Sequence, residues 1–175
     1  MTDRVKLWDP WVRLCHVVLV VAFFGNQFLT EEGEFWHRAL GYAAAAAVLL
    51  RFIWGFVASG AAAWSDCWPT PARLRAHLRA LVRREPFHRL GHSPLGALVM
   101  LTMMALMALL GLSGFLMEEV DYFWGEEWLE ELHEILANGL LGLVGLHVAA
   151  AIFESLQVRD NLPRSMITGW RKRLD

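Results

Sequence analysis

Residues 133–153 read HEILANGLLGLVGLHVAAAIF, and beyond Glu134 this stretch carries no acidic side chain, lysine or arginine. About 20 residues at 1.5 Å per residue cross a hydrocarbon core of roughly 30 Å, and helix is the open element that satisfies its own backbone there. Three further runs have the same character: 14–30, 39–63 with Arg51 as its one charge, and 93–117. The alanines at 43–47 and the Leu/Met-rich third run favour helix over strand. The predicted fold is therefore all-α, an integral membrane four-helix bundle in a single domain over 1–175. Its spans fall at about 11–30, 37–58, 93–117 and 133–155, with a linker over 59–92. Asn26, Gln27 and Phe28 stand where a signal peptide would carry a small-x-small cleavage site, so the first run is read as a span.

Composition agrees. Of 175 residues, 56% are hydrophobic and only 19% charged, too apolar for an ordinary soluble domain. The net charge of −2 supplies no basic field for nucleic acid. Two cysteines, Cys15 and Cys67, exclude a disulfide framework, a CxxC zinc site and covalently attached haem.

Charge placement orients the spans. Four crossings put both termini on one side, together with 15 of the 16 Lys and Arg, including Arg84, Arg89 and Arg173; the other side has only Arg38. That other side carries eleven acidic residues, from Glu31, Glu32 and Glu34 to Glu134. The positive-inside rule makes the basic side cytoplasmic, in a bacterial inner membrane. Trp8, Trp11, Trp36, Trp54, Trp124 and Trp128 flank spans, as an aromatic belt requires. Within the linker, Thr70-Pro71 reads as an N-cap followed by a first helical residue, with Leu74, Leu78, Leu81 and Val82 on one face among arginines. This is expected to be a short amphipathic cytoplasmic helix lying on the membrane surface.

Histidine carries the chemistry. His77 and His88 fall in the basic linker and are expected to be solvated or to face phosphate. His16, His37, His133 and His147 lie in or at the ends of spans, where ionisable groups default to function. His133 and His147 are fourteen residues apart, which returns the helix to within about 40° and climbs about 21 Å. Depth then pairs His16 with His147 inside and His37 with His133 outside. Two imidazoles facing each other from neighbouring helices can hold haem iron from both sides, whereas zinc usually wants four ligands. Helix-bridging hydrogen bonds by structural histidines are the competing account. Arg51, fourteen residues after His37, shares its face at the inner level and is read as a partner for a haem propionate. His92 rivals His16 as the inner ligand, but it precedes Pro94 at a shallower level. Met100, Met103, Met104 and Met107 are read as packing, and Gly41, Gly96, Gly111, Gly114, Gly139, Gly142 and Gly145 as points of close approach for a macrocycle or helix.

The stretches WDPWVRLCH (8–16), WHRALGY (36–42), RFIWG (51–55), GHSPLGAL (91–98) and the two histidines of 133–147 touch all four spans. Taken in this order and spacing, the chain resembles the bacterial cytochrome b561 family, which includes the b-type cytochrome subunits of nickel–iron hydrogenases. It departs from that pattern at Val17, where the family usually has Trp, a position of packing rather than ligation. The resemblance implies two b-type haems with iron held by His16, His37, His133 and His147, moving electrons between quinone and a partner. Two alternatives stay open: a quinone-linked oxidoreductase acting on a small substrate such as superoxide, and a subunit of a hydrogenase-like complex. Asn26, Gln27 and Arg38 are candidate quinone or substrate contacts. The acidic outer face, formally −10, points to a basic c-type cytochrome or another periplasmic redox protein as partner.

Overall fold

The computed structural model describes residues 4–83 and 91–172; Arg84, His88, Arg89 and Arg173 lie outside the described residues. In chain order the elements are β1 (Arg4–Lys6), α1 (Pro10–Phe28), α2 (Phe35–Val57), a 3-10 turn (Gly60–Ala62), α3 (Trp64–Cys67) and α4 (Pro71–Arg83). There follow α5 (Pro94–Glu119), a second 3-10 turn (Asp121–Phe123), α6 (Glu127–Val158), α7 (Leu162–Thr168) and β2 (Trp170–Lys172). Helices α1, α2, α5 and α6 are long and apolar enough to cross a membrane. Their open faces are greasy: Val21, Phe56, Leu112 and Leu146 are each more than half exposed. That pattern inverts a soluble protein and suits contact with lipid.

Helix α6 starts at Glu127, and Glu127 and Glu130 in its first turn complement the helix dipole ahead of the expected span. Two features differ from the sequence reading. The fold is not purely helical: β1 and β2 pair antiparallel, with Arg4 opposite Lys172, Val5 opposite Arg171 and Lys6 opposite Trp170. Three-residue strands are too short to show a period of two. His77, expected to be solvated, is buried.

The chain divides into two compact units. The first comprises Met1–Arg13, Ile53–Leu101 and Gly145–Asp175. Its core is Trp8, Val12 and Ala62, packed by Leu7, Trp54, Ala58, Ala61 and Met166. Asp9 begins α1 by accepting from Val12 N at 2.8 Å, and its second oxygen accepts from Trp54 Nε1 at 3.0 Å. Trp8 Nε1 donates to Ser165 Oγ at 3.2 Å. Gly169 ends α7 in the left-handed region, φ 85°, and its carbonyl accepts from Leu7 N and Trp8 N. A Cβ there would stand 3.1 Å from Trp8 O, so glycine meets both the dihedral and the approach. Thr70 caps α4 through Arg73 N, 3.3 Å.

The second unit comprises Leu14–Phe52 and Thr102–Val144. Close approaches order its helices. Leu40 lies so near Gly25 that a Cβ would meet it at 2.6 Å, setting α1 on α2. Ala45 stands 3.0 Å from the corresponding point on Gly111, setting α2 on α5. Gly114 faces the His133 ring, bringing α5 to α6. Backbone proximity through small residues replaces the hydrophobic effect, which gives no drive between helices in lipid.

Candidate functional site

His37 lies in the first turn of α2 and His133 in the second turn of α6, both within the second unit. Their ring centres are 6.3 Å apart, with planes inclined at 50°. A metal–imidazole bond is about 2 Å and a ring nitrogen lies roughly 1 Å from its ring centre, so two imidazoles on opposite sides of one metal ion stand about 6 Å apart. The observed separation fits.

Hydrogen bonding assigns the ring nitrogens. Ser113 Oγ lies 3.2 Å from Leu110 O and 2.8 Å from His133 Nδ1. With its proton on the carbonyl, the hydroxyl oxygen would accept from Nδ1–H and leave Nε2 as the lone-pair nitrogen. Thr30 Oγ1 repeats the arrangement, 3.3 Å from His37 Nδ1 and 3.4 Å from both Gly25 O and Asn26 Oδ1. Asn26 Nδ2 donates to His37 O at 3.0 Å, holding the start of α2 against α1. Each ring thus has a hydroxyl oxygen at its Nδ1, which orients it.

Beside this pair, Arg38 Nη1 meets Glu118 Oε2 at 2.8 Å and Tyr42 Oη donates to Glu119 Oε1 at 2.8 Å, tying α2 to α5. Of the three polar residues singled out near the outer level, Asn26 and Arg38 therefore bond within the protein. Ser113 and Thr30 were not singled out from sequence. Ser113 lies six residues before the acidic end of α5, as His133 lies six after the acidic start of α6, but that count does not show which faces of the two helices meet.

His16 is half-buried on α1 in the second unit, and His147 is half-buried on α6 in the first. Arg51, on α2, is only 3% exposed, so it does not reach out to solvent. His92 packs edge-on against Trp8, ring centres 4.9 Å apart. Met104 is buried and Met100, Met103 and Met107 are half-buried, consistent with packing. Among the glycines, Gly111 and Gly114 face neighbours. Gly139, Gly142 and Gly145 have nothing within 4 Å of an added Cβ, and helical phase turns them from the His133 face.

Among the described residues no three His, Cys, Asp or Glu side chains gather as a metal site. His37 and His133, two imidazoles 6.3 Å apart, could hold haem between them, whereas a tetrahedral ion usually wants four ligands. The profile of the prokaryotic cytochrome b561 family matches residues 7–169. Neither the curated proteins nor the solved structures yield a match.

Proposed function

The chain belongs to the prokaryotic cytochrome b561 family, membrane b-type cytochromes of electron transfer, and from that premise we propose a two-haem cytochrome that carries electrons between the quinone pool and a redox partner outside the membrane. The observation that carries this reading is the His37–His133 pair, 6.3 Å apart with each Nδ1 held by a hydroxyl. His37 and His133 are assigned to the outer haem, and His16 and His147, level by depth, to the inner one. The packing of His92 on Trp8 favours His16 over His92. Arg51, buried on the face of His37, is assigned to a propionate.

When bound, haem supplies one-electron chemistry at iron. What this chain supplies is orientation. His37 with His133 would hold one haem, and His16 with His147 the other. The hydroxyl partners orient both outer rings, which would limit rearrangement between oxidation states. Eleven acids on the outer side, against Arg38 alone, favour approach of a basic protein.

Haem quantitation with visible and electron paramagnetic resonance spectra of the purified protein tests the reading. Two low-spin haems per chain are expected, reduced by a quinol and reoxidised by a basic c-type cytochrome. One haem, a high-spin signal or no reduction by quinol would refute it. The proposed orientation, with both termini cytoplasmic, is tested separately by reporters fused after Asp175 and inserted near Arg79 and Glu126.

A further inference from the structure

Where α6 ends, the first unit holds a cavity of about 230 Å³ whose lining includes, among the described residues, Arg4, Arg159, Arg164, Lys172 and a single carboxylate, Asp160. Four cations against one anion leave a formal +3. Asp160 is already engaged: its Oδ2 accepts from Lys172 N at 3.1 Å and Arg171 Nε at 3.4 Å. Arg4 and Lys172 are direct cross-strand partners in the β1–β2 ribbon. Like charges placed opposite each other oppose strand pairing unless an anion lies between them. Arg159 adopts φ 50°, a conformation that L side chains rarely take, and it lines the cavity from that turn. The fold thus concentrates positive charge here at a local cost.

A second cavity, about 360 Å³, shares Arg159, Asp160 and Asn161 with the first and continues along Ile152, Leu156 and Pro163. Ile152 is 52% exposed and Leu156 74%, on the last turns of a helix apolar enough to cross a membrane. About 20 residues from Ile135 bring α6 to Glu154, so Leu156 stands at the edge of the hydrocarbon and Arg159 at headgroup depth. Cationic pocket and apolar groove adjoin, in the order in which a phospholipid presents its phosphate and its chains.

We propose that this pair of cavities binds one anionic phospholipid, its phosphate among Arg4, Arg159, Arg164 and Lys172 and an acyl chain along Ile152 and Leu156. Basic pockets at span ends recognise anionic headgroups, and each cation near the surface contributes about fivefold in affinity. The bound lipid would hold the ribbon that joins the two ends of the chain against the end of α6. The proposal rests on α6 crossing the membrane and is independent of the haem assignments.

Native mass spectrometry of the haem-loaded protein, released from micelles containing phosphatidylglycerol and phosphatidylethanolamine in equal amounts, tests it. At least tenfold preferential retention of one phosphatidylglycerol is expected. Arg159→Gln with Arg164→Gln should lower that retention about 25-fold while the haem spectrum is unchanged. Asp160→Asn keeps an acceptor for Lys172 N but removes the opposing charge. It should raise retention severalfold, a gain that misfolding cannot mimic. Equal retention of the two lipids, or wild-type retention by the double arginine variant, would overturn the proposal. So would complete displacement by millimolar inorganic phosphate, which would make this a site for free phosphate instead.

Discussion

In the second unit each imidazole of the facing pair meets a hydroxyl: His133 with Ser113 and His37 with Thr30. At the end of α6 in the first unit, four cations share a cavity with one carboxylate. Surroundings explain the difference. A group at membrane depth has no water to turn to, so an unpaired donor there costs several kcal/mol and partners must come from the protein. At headgroup depth, water and lipid phosphate are available and charge can be left over. The first arrangement holds ligands rigidly; the second leaves charge free to meet something outside the chain.

The largest expected effect comes from removing the paired imidazoles. His37→Ala or His133→Ala should each eliminate the outer haem, and His16→Ala or His147→Ala the inner one, as read by haem content per chain. Two low-spin haems retained after His16→Ala would transfer that ligand to His92. Survival of the outer haem in His133→Ala would break the contrast at its root.

Next in size is the hydroxyl. Ser113→Ala leaves His133 Nδ1–H without its acceptor and should weaken outer-haem affinity by about 10–100-fold. The midpoint potential of that haem should move while the inner haem's stays put. Ser113→Thr should restore both. A potential unmoved by Ser113→Ala would mean that the hydroxyl serves packing alone.

A smaller effect is expected at the acidic end. Oxidation of the reduced protein by a basic c-type cytochrome should slow by about tenfold or more as salt rises to roughly 0.5 M, because screening sets in over about 8 Å at physiological ionic strength. Neutralising Glu126, Glu127, Glu130 and Glu131 should reproduce that slowing at low salt. A rate indifferent to both changes would leave quinone as the electron partner to pursue.

The smallest effect concerns His77 on α4. Burial pushes its imidazole below the usual histidine range, only partly opposed by Glu154. The unfolded segment binds the proton more readily, so the stabilising contribution is full above about pH 6.5 and declines as pH falls through that value. Amide protection over Pro71–Arg83, corrected for the intrinsic pH dependence of exchange, should therefore fall below pH 6.5, and His77→Gln should abolish the dependence. An equal pH response in His77→Gln would assign it to another group.

Much of the fold was legible along the chain because crossing lipid is a one-dimensional requirement. Apolar runs mark three of the long helices, α1, α2 and α5, and Thr70-Pro71 marks the start of α4. Histidine spacing on α6 follows from helical phase, a local property. Ser113 was not legible as a partner of His133. It lies on another helix, and serine in an apolar run most often bonds its own backbone, as Ser113 also does to Leu110 O. The β1–β2 ribbon escaped for a related reason: its strands come from opposite ends of the chain and carry too few residues for a pattern.

The sequence by itself determined four helices long and apolar enough to cross a membrane and the spacing of the histidines along them, because hydropathy and helical rise are summed along one chain. Tertiary structure alone decided which hydroxyl orients which imidazole, which arginine is buried and where four cations converge. Those depend on how separate helices and strands approach one another, through small residues such as Gly25 and Gly111 and through partners far apart in sequence, and no single segment encodes them.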